Sequence, residues 1–260
     1  MSAGELARIL ATGMVGVLAG ALSALLGIGG ATITTPAVRV LGASPILAVG
    51  STVPAILPGA ISGSLRYARE GLVDWSLALS TGIAGSLFAL LGAWTSSQVD
   101  GRVLMVLTAV LMLWSGISVV RGGRAGVGAE EELPSGRPSI VLLGTVGAGA
   151  GFVAGLLGVG GGIVLVPVMT GLLRVPMKRA VASSLVGVAI FSVPALVTHA
   201  ALGHIDWSYA LPLMVGVVPG ARLGARLTLR HSDRTVRRLF GLLVIVLALV
   251  YGGTELAALL

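Results

Sequence analysis

The chain has 260 residues, 55% of them apolar and only 10% charged, with a net charge of +7. Water-soluble domains carry about 25% charged residues, so lipid is the expected solvent and a soluble enzyme is excluded. No cysteine is present, which removes disulfides, thiolate metal sites and cysteine nucleophiles, and the basic excess reads as loop charge of a membrane protein rather than a nucleic-acid surface.

Apolar runs of about 20 residues, long enough to cross a bilayer as helices, occur at 6–26, 45–65, 75–95, 103–120, 140–157, 180–201, 207–229 and 236–253. The first begins at the N-terminus but is longer than a signal-peptide core, so it is read as a retained span. Shorter pieces at 31–41 and 162–173 follow the first and fifth runs and are too short to cross. A β-barrel is set aside because its strands would be short and alternating. The expectation is an all-α, polytopic transmembrane helix bundle of about eight spans. The only long polar stretch, around Glu130, Glu131, Glu132 and Pro134, divides the chain into an N-terminal repeat (1–121), a linker loop (122–138) and a C-terminal repeat (139–260).

The two sides of the linker correspond. Leu25-Leu26-Gly27-Ile28-Gly29-Gly30 recurs as Leu156-Leu157-Gly158-Val159-Gly160-Gly161, and Pro36 and Pro45 recur as Pro167 and Pro176, all at an offset of 131. One inserted residue later, Ser51 matches Ser183, and Gly71 with Asp74-Trp75-Ser76 matches Gly203 with Asp206-Trp207-Ser208. Internal duplication of this kind is how many secondary transporters are built. Charge indicates the relative orientation, since Lys and Arg in short loops mark the cytoplasmic face. If the short pieces turn back, each unit has an odd number of passes. One face then holds only Arg8, Arg39 and Arg102, and the other holds the remaining 14 of the 17 basic residues. Inverted repeats with both termini outside are therefore expected, in a bacterial inner membrane.

Each glycine run ends a full-length apolar run, where glycine lets the backbone leave the helix. Irregular backbone at membrane depth survives only when buried in protein or lining a water-filled cavity. In the inverted arrangement the two breaks approach the midplane from opposite faces, and their free N–H groups can converge on one small anion. The competing explanation is tight helix crossing at small residues. The candidate anion-binding set is Gly27, Gly29, Gly30, Ala31, Thr32, Gly158, Gly160, Gly161 and Gly162, with the nearby hydroxyls of Ser51, Thr52, Ser183 and Ser184. Those hydroxyls can equally bond a carbonyl of their own helix. Thr35 before Pro36 and Ser44 before Pro45 read as helix N-caps.

Ionisable residues within the spans are few. His199, which matches Tyr67 of the first repeat, is a candidate proton relay, against the plainer role of a satisfied interfacial histidine. Arg222 and Arg226, at i and i+4, are a candidate gate, against snorkelling toward headgroups. Asp74-Trp75 and Asp206-Trp207 read as acidic N-caps with interfacial anchors. No nucleophile triad, metal-ligand spacing or ATP-binding loop occurs, so no metal or cofactor is expected and coupling would come from an ion gradient, proton or sodium, or from a partner.

Two copies of L-L-G-[IV]-G-G with a Pro six residues on, then A-V-x-S and G-x-[IV]-D-W, resemble the sulfite exporter TauE/SafE family of membrane permeases, also called TSUP. The resemblance runs from about Leu6 to Tyr251, and one departure is Ala31 where the second copy has Gly162. It implies a secondary transporter of small sulfur-containing anions such as sulfite or organosulfonates, working outward by alternating access. Import of the same anions, a passive anion channel and a non-transporting membrane scaffold are the alternatives.

Overall fold

The computed structural model describes residues 3–122 and 138–257, so the linker expected at 122–138 lies, apart from its two end residues, outside them. The described residues are all helix and connection, without strands. The first half comprises α1 (Ala3–Leu26), α2 (Ala31–Val40), α3 (Pro45–Arg69), α4 (Trp75–Ser96) and α5 (Gly101–Gly122). The second comprises α6 (Ile140–Leu157), α7 (Gly162–Gly171), α8 (Met177–Ala201), α9 (Trp207–Arg230) and α10 (Asp233–Ala257). Seven of these, α1, α3, α4, α5, α6, α8 and α9, are long and apolar enough to cross a membrane. At 25 residues α10 is of spanning length too, with Asp233, Arg234, Arg237 and Arg238 gathered at its start and Glu255 near its end. Each expected run lies inside one helix, with ends differing by a few residues.

Lipid is as apolar as leucine, so helices in a bilayer gain most from close van der Waals approach through small residues. The two tightest pairings here have that form, and each joins one half to the other. Gly16 and Gly20 of α1 lie against the backbone of Leu213 and Val217, while Gly216, Gly220 and Gly224 of α9 lie against Gly13, Val17 and Ala21. Likewise Gly85 of α4 meets Gly151 of α6, and Gly147 and Gly155 of α6 meet Thr81 and Ala89. In both pairs residue numbers rise together, so the helices are parallel. By contrast Gly116 of α5 faces Gly241 of α10 and Gly252 faces Ala109, so α5 and α10 run antiparallel.

These pairings fix the helix directions. Ser51 at the start of α3 meets Asp206 at the start of α9, and Gly59 meets Val217 further along, so α3 runs with α9 and α1. Asp74 before α4 meets Ser183 early in α8, so α8 runs with α4 and α6. Because α1 and α3 point the same way, α2 has to return between them. Two contacts at Tyr209 place its ends: the Arg8 guanidinium sits 5.1 Å from the ring centroid, and the Tyr209 hydroxyl donates to the Leu41 carbonyl at 3.0 Å. The start of α1 and the end of α2 therefore share one face, and α1 with α2 form a re-entrant pair. With these directions Arg8, Arg39 and Arg102 lie toward one face and the other described basic residues toward the opposite one.

The start of α2 is a correction. Thr35-Pro36 reads as a cap and first-turn proline, yet α2 begins at Ala31 and Pro36 lies inside it. Gly30, at φ 37°, makes the turn instead, and its carbonyl accepts the N–H groups of Ile33 and Thr34. At the next boundary α3 does start at Pro45, with Ser44 as N-cap but no side-chain capping bond.

Candidate substrate site at the glycine elbows

The two glycine breaks meet. Between α1 and α2 the chain turns through Gly27, Gly29 and Gly30, all at positive φ, and between α6 and α7 through Gly158 and Gly160, also at positive φ. A Cβ on Gly29 would lie 3.4 Å from the Gly160 Cα, and one on Gly160 would lie 2.8 Å from the Gly29 carbonyl oxygen. Backbone thus presses on backbone, and Ile28 and Val159 between the glycines are 0% exposed. Ala31 and Gly162, which hold equivalent places, differ for a steric reason. A Cβ at Gly162 would run into the Gly27 carbonyl and approach Ile28 Cα, whereas Ala31 carries its methyl group in the packed core.

Several carbonyl and hydroxyl groups around the first elbow are satisfied. Ser184 Oγ donates to the Gly27 carbonyl at 3.0 Å, and the Thr228 hydroxyl donates to the Leu25 carbonyl at 3.0 Å. Thr52 Oγ1 donates to the Val49 carbonyl at 2.8 Å and lies 3.1 Å from the Thr35 hydroxyl. The elbow N–H groups are different. Those of Ile28, Gly29, Gly30 and Thr32 at the first elbow, and of Val159, Gly160, Gly161, Gly162 and Ile163 at the second, donate to no acceptor among the described residues. The Thr32 hydroxyl, on a fully buried side chain, is also without a partner. Buried donors are paired in the great majority of cases, so a cluster of unpaired ones marks a place for water or a ligand.

Helix dipoles, not charged side chains, set the electrostatics of the junction. The α2 and α7 helices both begin at this junction, so both present the positive ends of their dipoles to it. Residues 23–38 and 154–173 contain no ionisable side chain, leaving backbone dipoles and hydroxyls as the polar groups.

The remaining candidates fall elsewhere. Ser51 Oγ accepts the Asp206 N–H at 2.8 Å, and Ser183 Oγ accepts the Asp74 N–H at 2.9 Å, so each serine ties the start of a helix in the opposite half. Those helix starts are built as expected, with the Asp74 carboxylate accepting Leu77 N–H and the Asp206 carboxylate accepting Ser208 N–H. Tyr67 is fully buried and donates its hydroxyl to the Ala24 carbonyl at 2.7 Å, one turn before the first elbow. His199 is fully buried at the equivalent place, 3.2 Å from His204 between their Nδ1 atoms. Arg222 and Arg226 lie on the exposed side of α9, away from the elbows. Sequence reasoning missed His204, Thr228, Thr34 and Thr35. The H-x4-H spacing across the end of α8 was the one available signal, and the others have none beyond their hydroxyls.

Comparison with known proteins agrees with this architecture. The sequence model of the family described as Sulfite exporter TauE/SafE matches residues 12–251. A probable membrane transporter protein of Xylella fastidiosa (strain 9a5c) is 32% identical over 238 residues, covering 90% of this chain and 91% of that protein. The probable membrane transporter protein YunE of Bacillus subtilis (strain 168) is 27% identical, covering 92% and 96%. YfcA of Escherichia coli (strain K12), likewise described as a probable membrane transporter protein, is 25% identical, covering 86% and 81%. No solved structure matches. A bundle of membrane-spanning helices, two glycine elbows in contact and a family match across nearly the whole length lead to one conclusion: the chain belongs to the TauE/SafE family of membrane permeases.

Proposed function

We propose that this permease is a secondary transporter of small sulfur-containing anions, sulfite or organosulfonates, moving them outward across the bacterial inner membrane with both termini outside. The observation that carries the proposal is the set of buried, unpaired N–H donors where the two elbows touch, joined by the free Thr32 hydroxyl. An oxyanion presents several acceptor oxygens and so can take up several such donors at once. With no cation in the cradle, binding is weak enough for release, as a carrier needs. The two halves are inverted copies, and rocking of one against the other exposes the elbow junction to each face in turn. The outward direction takes its support from the description of the matched family, and the orientation from the uneven distribution of basic residues.

Purified protein in proteoliposomes loaded with radiolabelled sulfite tests this. Thr32→Val keeps shape and removes the unpartnered hydroxyl, so sulfite flux should fall about tenfold, the worth of one hydrogen bond to a charged group, while the melting temperature holds. Gly160→Val should abolish flux. Intact sulfite and organosulfonate flux in both variants would rule the elbow site out.

A further inference from the structure

The two halves differ at one buried position in a way that the anion cradle does not explain. In the first half Tyr67, near the end of α3, donates to the Ala24 carbonyl of α1, three residues before Gly27. In the second half the same register position is His199, near the end of α8, and the counterpart of Ala24 is Gly155, three residues before Gly158. The His199 imidazole is fully buried there, and its Nε2 makes no hydrogen bond among the described residues. A hydroxyl that is bonded below one elbow is thus replaced by a ring nitrogen that is left without a bond at the other.

The second imidazole completes the arrangement. His204 follows the Gly203 turn, and its Nδ1 is 3.2 Å from Nδ1 of His199, with ring centroids 5.4 Å apart. At that distance one nitrogen donates and the other accepts, so the neutral pair leaves a single vacant position for a further proton. If His199 donates from Nδ1 to His204, its Nε2 is a bare acceptor facing a backbone carbonyl region. One added proton turns Nε2 into a donor and keeps the Nδ1 contact. A second would set two cations 3.2 Å apart at Nδ1, so the pair takes up one proton as a unit.

His204 is linked to the second elbow through α3. The backbone of His204 packs on Gly50 of α3, and the neighbouring Val49 side chain packs on Gly158. The surroundings contain few other charges. α4, α6 and α7 carry no ionisable residue, and those of α3, Arg66, Tyr67 and Arg69, sit at its far end. On α8 itself Lys178 and Arg179 are at the opposite end, beside Asp233 of α10, with Arg234, Arg237 and Arg238 following it. In α1 and α9, Arg8 lies over Tyr209, Glu5 is a turn before Arg8 and Arg222, Arg226 and Arg230 are far along α9. The nearest charged residue in sequence is Asp206, whose carboxylate already accepts the Ser208 N–H.

We propose that His199 and His204 form a proton-binding site, facing the side of the membrane poor in basic residues, that couples movement of the second elbow to the proton gradient. The proposal rests on the permease function above and names its coupling ion. Two substitutions install the first half's own residues at the matching positions, His199→Tyr for Tyr67 and His204→Leu for Leu72. Proteoliposomes containing a pH-sensitive dye and a radiolabelled sulfite gradient give proton and anion movement together. The expected result is a proton-to-sulfite ratio at least tenfold lower in either variant than in the wild type; an unchanged ratio in both overturns the proposal. Sulfite flux without any pH change in the wild type overturns the coupling and leaves the permease function standing. Lack of sulfite flux removes the permease function instead, and a second measurement then decides on proton binding. The chain has three histidines, so 15N-histidine NMR in nanodiscs resolves them, with the exposed His231 as reference. His199 and His204 should titrate jointly, each curve altered by substitution of the other; two independent curves overturn the site.

Discussion

The half-helices α2 and α7 occupy matching places but are chemically unlike. The α2 sequence ATITTPAVRV buries Thr32, Thr34 and Thr35, whereas GIVLVPVMTG in α7 buries Ile163, Leu165 and Val166 at the corresponding turns. Their neighbours differ as well. The Ser115 hydroxyl of α5 donates to the Ile163 carbonyl at 2.7 Å, tying α7 to the outer helix of the other half. The hydroxyls of α2 instead turn toward α3 and its own first turn. The lesson is that one backbone plan is used twice with its polar chemistry on one side only. α7 packs through apolar side chains and α2 through hydroxyls, so the surroundings of the two elbows differ.

Substitutions that exchange the two halves' residues test this contrast. Gly162→Ala should have the largest effect, because its Cβ meets the backbone of Gly27 and Ile28; overpacking of this kind costs about 1–3 kcal/mol, read as a lower melting temperature in detergent. The reverse swap, Ala31→Gly, only loosens a helix start and should cost about 0.5–1 kcal/mol. A comparable loss for both would contradict the steric account. Ile163→Thr, which gives α7 the α2 residue, buries a hydroxyl and should destabilise by about 1–3 kcal/mol unless it finds a partner. Thr32→Val in α2 should leave stability alone and reduce flux. Tyr67→Phe removes the bond to the Ala24 carbonyl and should lower stability by about 1 kcal/mol, measured by thermal unfolding. Arg222→Gln should change neither flux nor stability measurably, since the side chain lies on the exposed side of α9; a severalfold loss of flux would restore it as a gate.

The helices and elbows were legible because their causes are local. Apolar runs of spanning length and paired glycine runs leave the chain few other choices in lipid. The start of α2 was misplaced because Thr35-Pro36 carries a capping signal that the turn at Gly30 pre-empts. Ser51 and Ser183 look like free donors in sequence, but their partners, the Asp206 and Asp74 N–H groups, come from more than 100 positions away in the other half. The unpaired state of Thr32 is hidden for a similar reason, since it depends on which helices cross over α2. The meeting of His199 with His204 is local, and its H-x4-H spacing is present in the sequence.

The interlocked glycine stripes bear on how the protein is made. Ribosomes extend a chain at about 5–20 residues per second, so α4 waits only about 3–12 s for the matching stripe of α6, whereas α1 waits about 10–40 s until α9 has been synthesised. Through that interval the bare stripe on α1 faces lipid or whatever insertion machinery shelters it. The α1 stripe therefore finds its packing partner only when the last quarter of the polypeptide arrives.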